Sequence, residues 1–292
     1  MNTEYQIIHS KKQELILFFS EFFFFLYELL TSLPLSIKFR YSLNLNNKNQ
    51  LFVLGNGPSL HKDLVKIKKH SQIFAVNTFL SKKYFRLYKP NFLCCIDTMF
   101  WANYNRLSSS VKKPVQKTFV ELNRVDWSMI LFIPNKAKKI FKSRVHNKKV
   151  KIIVIPSLSY DFECSFYLKI FSYLNLPPPR INVVVTAIYI GIVSKIQNIQ
   201  LLGIDMDRIH SFKVDNVTNR SFMDYIHFSK TKKPPVKFKN KFKDRKETSI
   251  YVKLKREASA FKWYAYIAML GKRNKVLLKN KSSKSLVDSI ER

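Results

Sequence analysis

Glycine is nearly missing, with five residues in 292. Sandwiches and barrels built on many tight turns draw on glycine for positive φ, so this scarcity argues against them. Cysteine is scarcer still. Cys94, Cys95 and Cys164 form no C-x-x-C pair, and an odd count gives no disulfide framework. Cys94 and Cys95 lie in the apolar run FLCCI, where cysteine acts as a small buried hydrophobe. A reducing cytoplasm is the natural inference. Acid is also short: 19 Asp and Glu face 52 Lys and Arg, a formal net charge of +33. Such a charge calls for a polyanion, whether nucleic acid, anionic lipid or an acidic or phosphorylated substrate, unless it reflects only a Lys- and Asn-rich composition. No zinc-finger spacing, RNP-like motif or obvious helix-turn-helix accompanies it, so nucleic acid is not the expected partner.

What is present suits a folded enzyme-sized domain. Hydrophobic residues make up 46% and aromatics 14%, which excludes wholesale disorder. The most apolar stretch is residues 14–31, ELILFFSEFFFFLYELLT. It is too long and too aromatic for a signal-peptide core, and no small-residue cleavage site follows. Glu14, Glu21 and Glu28 interrupt it at seven-residue intervals and fall on one stripe of a helix. Lys11, Lys12, Lys38 and Arg40 flank it. Residues 1–45 therefore read as an N-terminal hydrophobic helix and linker, with residues 11–40 expected on an anionic membrane surface. Docking on the domain and a true span are the alternatives.

From residue 51 onward, short apolar runs alternate with helical stretches. Strands are expected at Leu51–Leu54, Gln72–Val76, Asn91–Ile96, Met129–Ile133, Lys151–Ile155, Ile199–Leu202 and Lys275–Leu278. Helices are expected at 59–69, 160–174, 183–195, 257–271 and 284–291. Continuous apolar strands between helices predict an α/β fold: one Rossmann-like domain over 46–292, with a mainly parallel sheet covered on both faces. Residues 207–256 break the pattern. They are polar and Lys-rich and read as a basic lid.

The stretch LFVLGNGPSL at 51–60 is a strand followed by a glycine turn, with Ser59 placed to cap the next helix. It departs from the dinucleotide fingerprint, because Leu60 replaces the third glycine. The second strand ends in AVNTF, so Asn77 stands where an NAD-binding chain offers Asp or Glu to the ribose. There is no GxxxxGK[ST] either. A mononucleotide is the expected ligand.

Taken together, GNGPSL, AVNTF and RINVVVTAIYIGIVSKIQNIQLLGIDMD at 180–207 resemble the bacterial sialyltransferases of glycosyltransferase family 42, which use CMP-sialic acid. KVLLKNKSSKSLVDSI looks like that family's last strand and helix, so the likeness covers roughly residues 50–290. The turn and the GID-type strand end also occur in proteins resembling hydroxymethylpterin pyrophosphokinase. The resemblance implies that Asn56, Gly57 and Ser59 approach the nucleotide phosphate and ribose. It also implies that Asn77 and Arg180 contact the donor and that Asp205 lies near the cytidine. Its general base is a histidine in a Tyr-x-x-His-Ser-like context, which implies His227 with Tyr225 and Ser229 in DYIHFSK, the histidine one residue early. Asp97, a further candidate for donor binding or else a strand-end cap, stands where the family has an asparagine, and Val183-Val184 replaces a Ser-Gly pair that contacts the donor. Thr186 is a substitute hydroxyl near Asn182. His210 is the rival base, while His9, His61, His70 and His146 read as surface residues.

The implied activity is inverting transfer of an acidic sugar from a CMP-activated donor to a cell-surface glycan or glycolipid. The implied site of action is the inner face of the cell membrane, with a homo-oligomer possible. A leaving group with one phosphate needs no metal bridge, so no cofactor is expected. Asp205 and Asp207 nevertheless have the D-x-D spacing that holds Mg²⁺ or Mn²⁺ in other glycosyltransferases, and that alternative stays open. Two other readings remain: a Mg-ATP phosphoryl transferase on the same fold, and a non-catalytic factor in envelope polysaccharide assembly.

Overall fold

A computed structural model of the chain describes residues 10–43, 50–69, 71–81, 84–217, 221–223, 236–237 and 249–292. Its strands are β1 (Gln50–Leu54), β2 (Gln72–Val76), β3 (Phe92–Cys94), β4 (Met129–Pro134), β5 (Val150–Ile155), β6 (Asn198–Leu202), β7 (Phe212–Val214), β8 (Ser221–Met223), β9 (Val236–Lys237) and β10 (Leu277–Asn280). Its helices are α1 (Lys11–Ser42), α2 (Leu60–Asp63), α3 (Tyr84–Tyr88), α4 (Ser109–Asn123), α5 (Lys138–Arg144), α6 (Ser165–Leu174), α7 (Val183–Val193) and α8 (Ile250–Arg273).

Seven strands form one sheet in the order β10-β6-β1-β2-β3-β4-β5, and every pairing is parallel. The strands are apolar on both sides because both faces are covered. Leu51 and Val53 of β1 join one core with α6, α7 and α8, while Phe52 and Leu54 join a second core with α4 and α5. The α/β architecture expected from the sequence is the one observed. Chain order runs outward from β1 through β2 to β5 on one side, then restarts through β6 and β10 on the other. That reversal between β1 and β6 is where open α/β sheets hold ligands, beyond the carboxyl ends of the strands.

Several expected boundaries move, each for a tertiary reason. The 160–174 helix starts only at Ser165, because Ser159, Tyr160, Glu163 and Cys164 give their backbone N–H groups to glutamates of α1. The last strand lies two residues later than expected: α8 closes with Val276 N–H on Gly271 O (2.9 Å) and Lys275 at φ +56°. The helix expected at 284–291 does not form, and the chain there is an irregular strap. Three helices, α3, α4 and α5, are additional to those expected. Of the basic 207–256 segment, Asp207–Ser211 is a short 3₁₀ turn, β7–β9 form a small antiparallel sheet, and residues from Ile250 belong to α8.

Helix α1 starts at a capping box, with Gln13 N–H on the Ser10 hydroxyl (3.3 Å) and Ser10 N–H on Gln13 Oε1 (3.0 Å). By length and composition it is apolar enough to cross a membrane. Its carboxylate stripe faces the protein. Glu21 accepts N–H groups from Glu163 (2.8 Å) and Cys164 (2.9 Å), and Glu14 accepts the Ser165 hydroxyl (2.9 Å). Helix α6 has no side-chain cap of its own, so α1 supplies the negative charge at its N-terminus. Glu28, fully buried, takes Ser159 N–H at 2.5 Å, Tyr160 N–H at 3.2 Å and the hydroxyls of Ser159 and Ser32. Burial pushes the Glu21 carboxyl above its usual range, against the pull of its two N–H partners.

Candidate functional site

The glycine turn after β1 is stitched to the GID loop after β6. Gly55 N–H bonds Leu202 O and Gly57 N–H bonds Gly203 O, both at 2.8 Å. A methyl on Gly57 would sit 2.6 Å from Gly203 O and 2.7 Å from Asp205 Cγ. Gly203 itself has φ +65°, and a side chain there would meet Leu60 at 2.5 Å. These two glycines are required by loop-to-loop packing alone.

Ser59 does not cap α2. Its N–H and its hydroxyl both go to the buried Asp205 carboxylate, the N–H at 2.7 Å. The hydroxyl also lies 3.0 Å from Asp63 Oδ2. A serine has one proton to give, so the two carboxylates compete for it. Burial drives the Asp205 carboxyl above its usual range, assisted by the nearby charges of Asp207 and Asp63 and opposed by Ser59. Asp63 behaves oppositely. Burial raises it, but Lys66, Ser283, Gly203 and Ser59 outweigh that and hold it below the usual range.

Asp63, which the sequence did not single out, is the hub of this end of the sheet. It accepts Gly203 N–H (3.1 Å), Ser283 N–H (2.9 Å), the Ser283 hydroxyl and the Lys66 ammonium (2.7 Å). The strap after β10 completes the frame. The Ser282 hydroxyl accepts Ile204 N–H (2.9 Å), the Ser285 hydroxyl donates to Ile204 O (2.5 Å), and Leu286 N–H bonds Asp205 O (2.9 Å). The strap is thus bound to the GID loop, with Val287 N–H turned back on the Ser285 hydroxyl (3.1 Å), and residues 284–291 are irregular. The run KSSKS directly after a strand was the available signal.

The asparagines stand beside this frame. Asn56 Nδ2 donates to Val76 O (3.1 Å), the last residue of β2, which places it next to Asn77. Asn77 adopts φ +47°, a left-handed conformation that asparagine tolerates better than most residues. The side-chain oxygens of both are buried and meet no donor among the described residues. The N-terminus of α7, which leads into the parallel strand β6, lies at the same carboxyl edge of the sheet. Asn182 caps it through Val184 N–H (2.9 Å), and its Nδ2 lies 3.7 Å from Met206 Sδ in the GIDMD loop. Arg180 is half-buried in the turn just before it.

Asp97 lies beyond β3 and caps the turn 98–100 through Met99 N–H (3.3 Å). Asp205 and Asp207 flank Met206, at φ +52°, and serve different partners: Asp207 pairs with Lys284 at 3.2 Å. Among the described residues no three His, Cys, Asp or Glu side chains gather as metal ligands. The Thr186 hydroxyl donates to Asn182 O (3.3 Å) and is buried. His210 is exposed in the turn after the GID loop. His227, Tyr225 and Ser229 lie outside the described residues. Burial raises the Cys94 and Cys95 thiols far above their usual range, so neither offers a thiolate nucleophile. Asn56, Gly57, Ser59, Asn77, Arg180 and Asp205 thus come from four chain segments to one edge of the sheet.

No family model and no curated protein matches the chain. Among solved structures it is similar to the sialyltransferase CstII from Campylobacter jejuni, determined in complex with a substrate analogue, cytidine-5′-monophosphate. The identity is 16% over 84% of each chain, with a TM-score of 0.40.

Proposed function

We propose that the chain is an inverting glycosyltransferase that moves an acidic sugar from a CMP-activated donor onto a hydroxyl of a cell-surface glycan or glycolipid. The observation that carries this reading is the pairing of Asn56 and Asn77 at the β1/β2 side of the switch point, each with a buried, unpaired amide oxygen. An unsatisfied buried acceptor costs about 1–3 kcal/mol. A ligand that brings N–H or O–H groups, such as a cytosine amine or a ribose, recovers that cost after a small side-chain adjustment. The α7 N-terminus, at the same carboxyl edge of the sheet, leaves the Val183 and Val185 N–H groups without intrahelical partners, which suits a phosphate. The net charge of +33 favours an anionic donor.

In this reading the acceptor oxygen attacks the anomeric carbon from the face opposite the phosphate. The bond from that carbon to the phosphate oxygen breaks, and CMP leaves with the electron pair. His227 takes the acceptor proton, since imidazole titrates near working pH. One leaving phosphate can be stabilised by N–H groups and cationic side chains without a metal.

The test is thermal-shift screening against CMP, CDP, UDP, GDP and ATP, each with and without Mg²⁺. Stabilisation by CMP independent of metal is the expected result. Stabilisation only by ATP with Mg²⁺ would replace the reading with phosphoryl transfer, and no response to any nucleotide would remove the enzyme reading. Asn77→Gly keeps the positive φ and deletes the amide; it should weaken CMP binding about tenfold. His227→Ala should abolish CMP release from CMP-sialic acid while leaving CMP binding intact. Turnover near normal would take His227 out of the role and turn attention to His210.

A further inference from the structure

The polarity of α1 is inverted relative to a helix that covers a water-soluble core. Successive residues turn by about 100°, so Glu14, Glu21 and Glu28 lie within roughly 20° of one line. Phe19, Phe23, Leu26 and Leu30 lie about 140–180° away from Glu21 on the same count. The glutamates are the docking face, as their bonds to residues 159–165 show. The opposite face is bare: Phe19 is 65% exposed, Phe23 77% and Leu30 79%. Phe166 of α6, also exposed, extends this apolar surface and packs edge-on against Phe18.

We propose that this face of α1 lies in the interfacial layer of an anionic lipid bilayer, with the helix axis along the membrane plane. Exposed apolar surface of this extent marks an interaction site. The stripe from Leu15 to Leu30 runs roughly 22 Å, at 1.5 Å per residue. Its direction is set by docking: three carboxylates seat one side of the helix on the protein, so α1 cannot be surrounded by lipid while that seat holds. Charge selects the occupant. All three acids of α1 are turned inward, which leaves Lys11, Lys12 and Lys38 as the exposed charges near its two ends. A second copy laid antiparallel on this face would bring Lys11 and Lys12 against Lys38 of its mate, and a parallel one would bring like against like. Both arrangements set cations against cations, in chains that each carry +33. Anionic headgroups meet the same lysines favourably, and aromatic rings are suited to headgroup depth. The seat also fixes position, since Glu28 holds Ser159 and Tyr160, just beyond the carboxyl end of β5. The lipid-facing helix therefore adjoins the edge of the sheet that carries the glycine turn. That edge is where a membrane-borne acceptor would be met.

The experiment uses the full chain and flotation with two vesicle types, phosphatidylcholine alone and phosphatidylcholine mixed with phosphatidylglycerol. Binding to the mixed vesicles is expected, with at least about tenfold weaker binding to the neutral ones. Phe19→Ser with Phe23→Ser and Leu30→Ser changes only outward positions. It should lower binding by at least about tenfold while leaving the far-ultraviolet circular dichroism and the thermal midpoint near those of the parent. Unchanged vesicle binding in the triple variant would overturn the proposal. So would a parent chain that is dimeric in solution, binds no vesicles and becomes monomeric in the triple variant, because the face would then belong to a second copy. None of these readouts depends on nucleotide, so failure here leaves the transferase reading standing, and the converse also holds.

Discussion

Asp63→Ala is the sharpest test of how the carboxyl edge of the sheet is built. Asp63 is fully buried and holds α2, the GID loop and the C-terminal strap through one carboxylate. Removing it strands the buried Gly203 N–H, worth about 1–3 kcal/mol when left unpaired, while the N–H of the exposed Ser283 regains water. The Lys66 ammonium, with a side chain 39% exposed, regains water and adds little. The Ser59 hydroxyl keeps Asp205. The expected loss is therefore about 1–3 kcal/mol, the cost of the one buried donor left unpaired. Against a total of about 5–15 kcal/mol this is severe but survivable. At about 2 °C per kcal/mol for a chain of this size, the thermal midpoint should fall by roughly 2–6 °C. Urea unfolding measures the loss directly. Acid provides a second check through Asp63→Asn. Because the folded carboxyl titrates below its ordinary 3.8, its contribution is complete above that pH and disappears as pH falls through the folded value. The gap between parent and Asp63→Asn should thus close on acidification. A loss under about 1 kcal/mol for Asp63→Ala, or a gap that widens in acid, would refute the hub.

Asp205 should show the opposite sign. Its carboxyl is raised by burial, so its contribution is full below 3.8 and declines as pH rises through the folded value. The stability difference between parent and Asp205→Asn, followed by urea unfolding across that window, should narrow with rising pH; a widening difference would contradict the assignment. Gly57→Ala sets a methyl 2.6 Å from the Gly203 carbonyl and 2.7 Å from Asp205. The loops must part, and CMP binding read by thermal shift should be lost at a cost of about 1–3 kcal/mol in stability; unimpaired binding would show that the loops separate freely. Glu28→Ala strands the N–H groups of Ser159 and Tyr160. Hydrogen exchange should speed up in residues 156–165 and in α1 while the β1–β4 core stays protected, and uniform protection would mean that α1 is held by its aromatic contacts alone.

The strands were the most legible part of the chain. LFVL, QIFAV and MILFI are apolar runs that only a sheet covered on both faces can bury, and their boundaries lie within a residue of those expected. Helix ends were legible only where the cap is local. Asn182 announces α7, but nothing near Ser165 reveals that α6 is capped by glutamates more than 140 residues earlier. Helix α4 carries a signal of its own, Val111, Val115, Phe119 and Leu122 at helical spacing with the last three buried, set against Pro114 in its second turn. The glycine turn and the GID end were both visible, and their mutual role was not. Read singly, Gly57 and Ser59 suggest a phosphate cradle; in the fold, Gly57 makes room for Gly203, and Ser59 gives its proton donors to Asp205.

The sequence by itself determined the parallel α/β sheet, the position of the glycine turn at its carboxyl edge, and the seven-residue spacing of Glu14, Glu21 and Glu28. These follow from period and polarity along the chain, which no partner is needed to read. Only the tertiary structure decided which way the glutamates point. It also decided that a lone aspartate at position 63 anchors three segments, and that the serines of the last twelve residues lock a loop in place of forming a helix. Those outcomes depend on which backbone N–H groups are left unpaired when distant segments meet, and an unpaired N–H has no signature until the chain has folded around it.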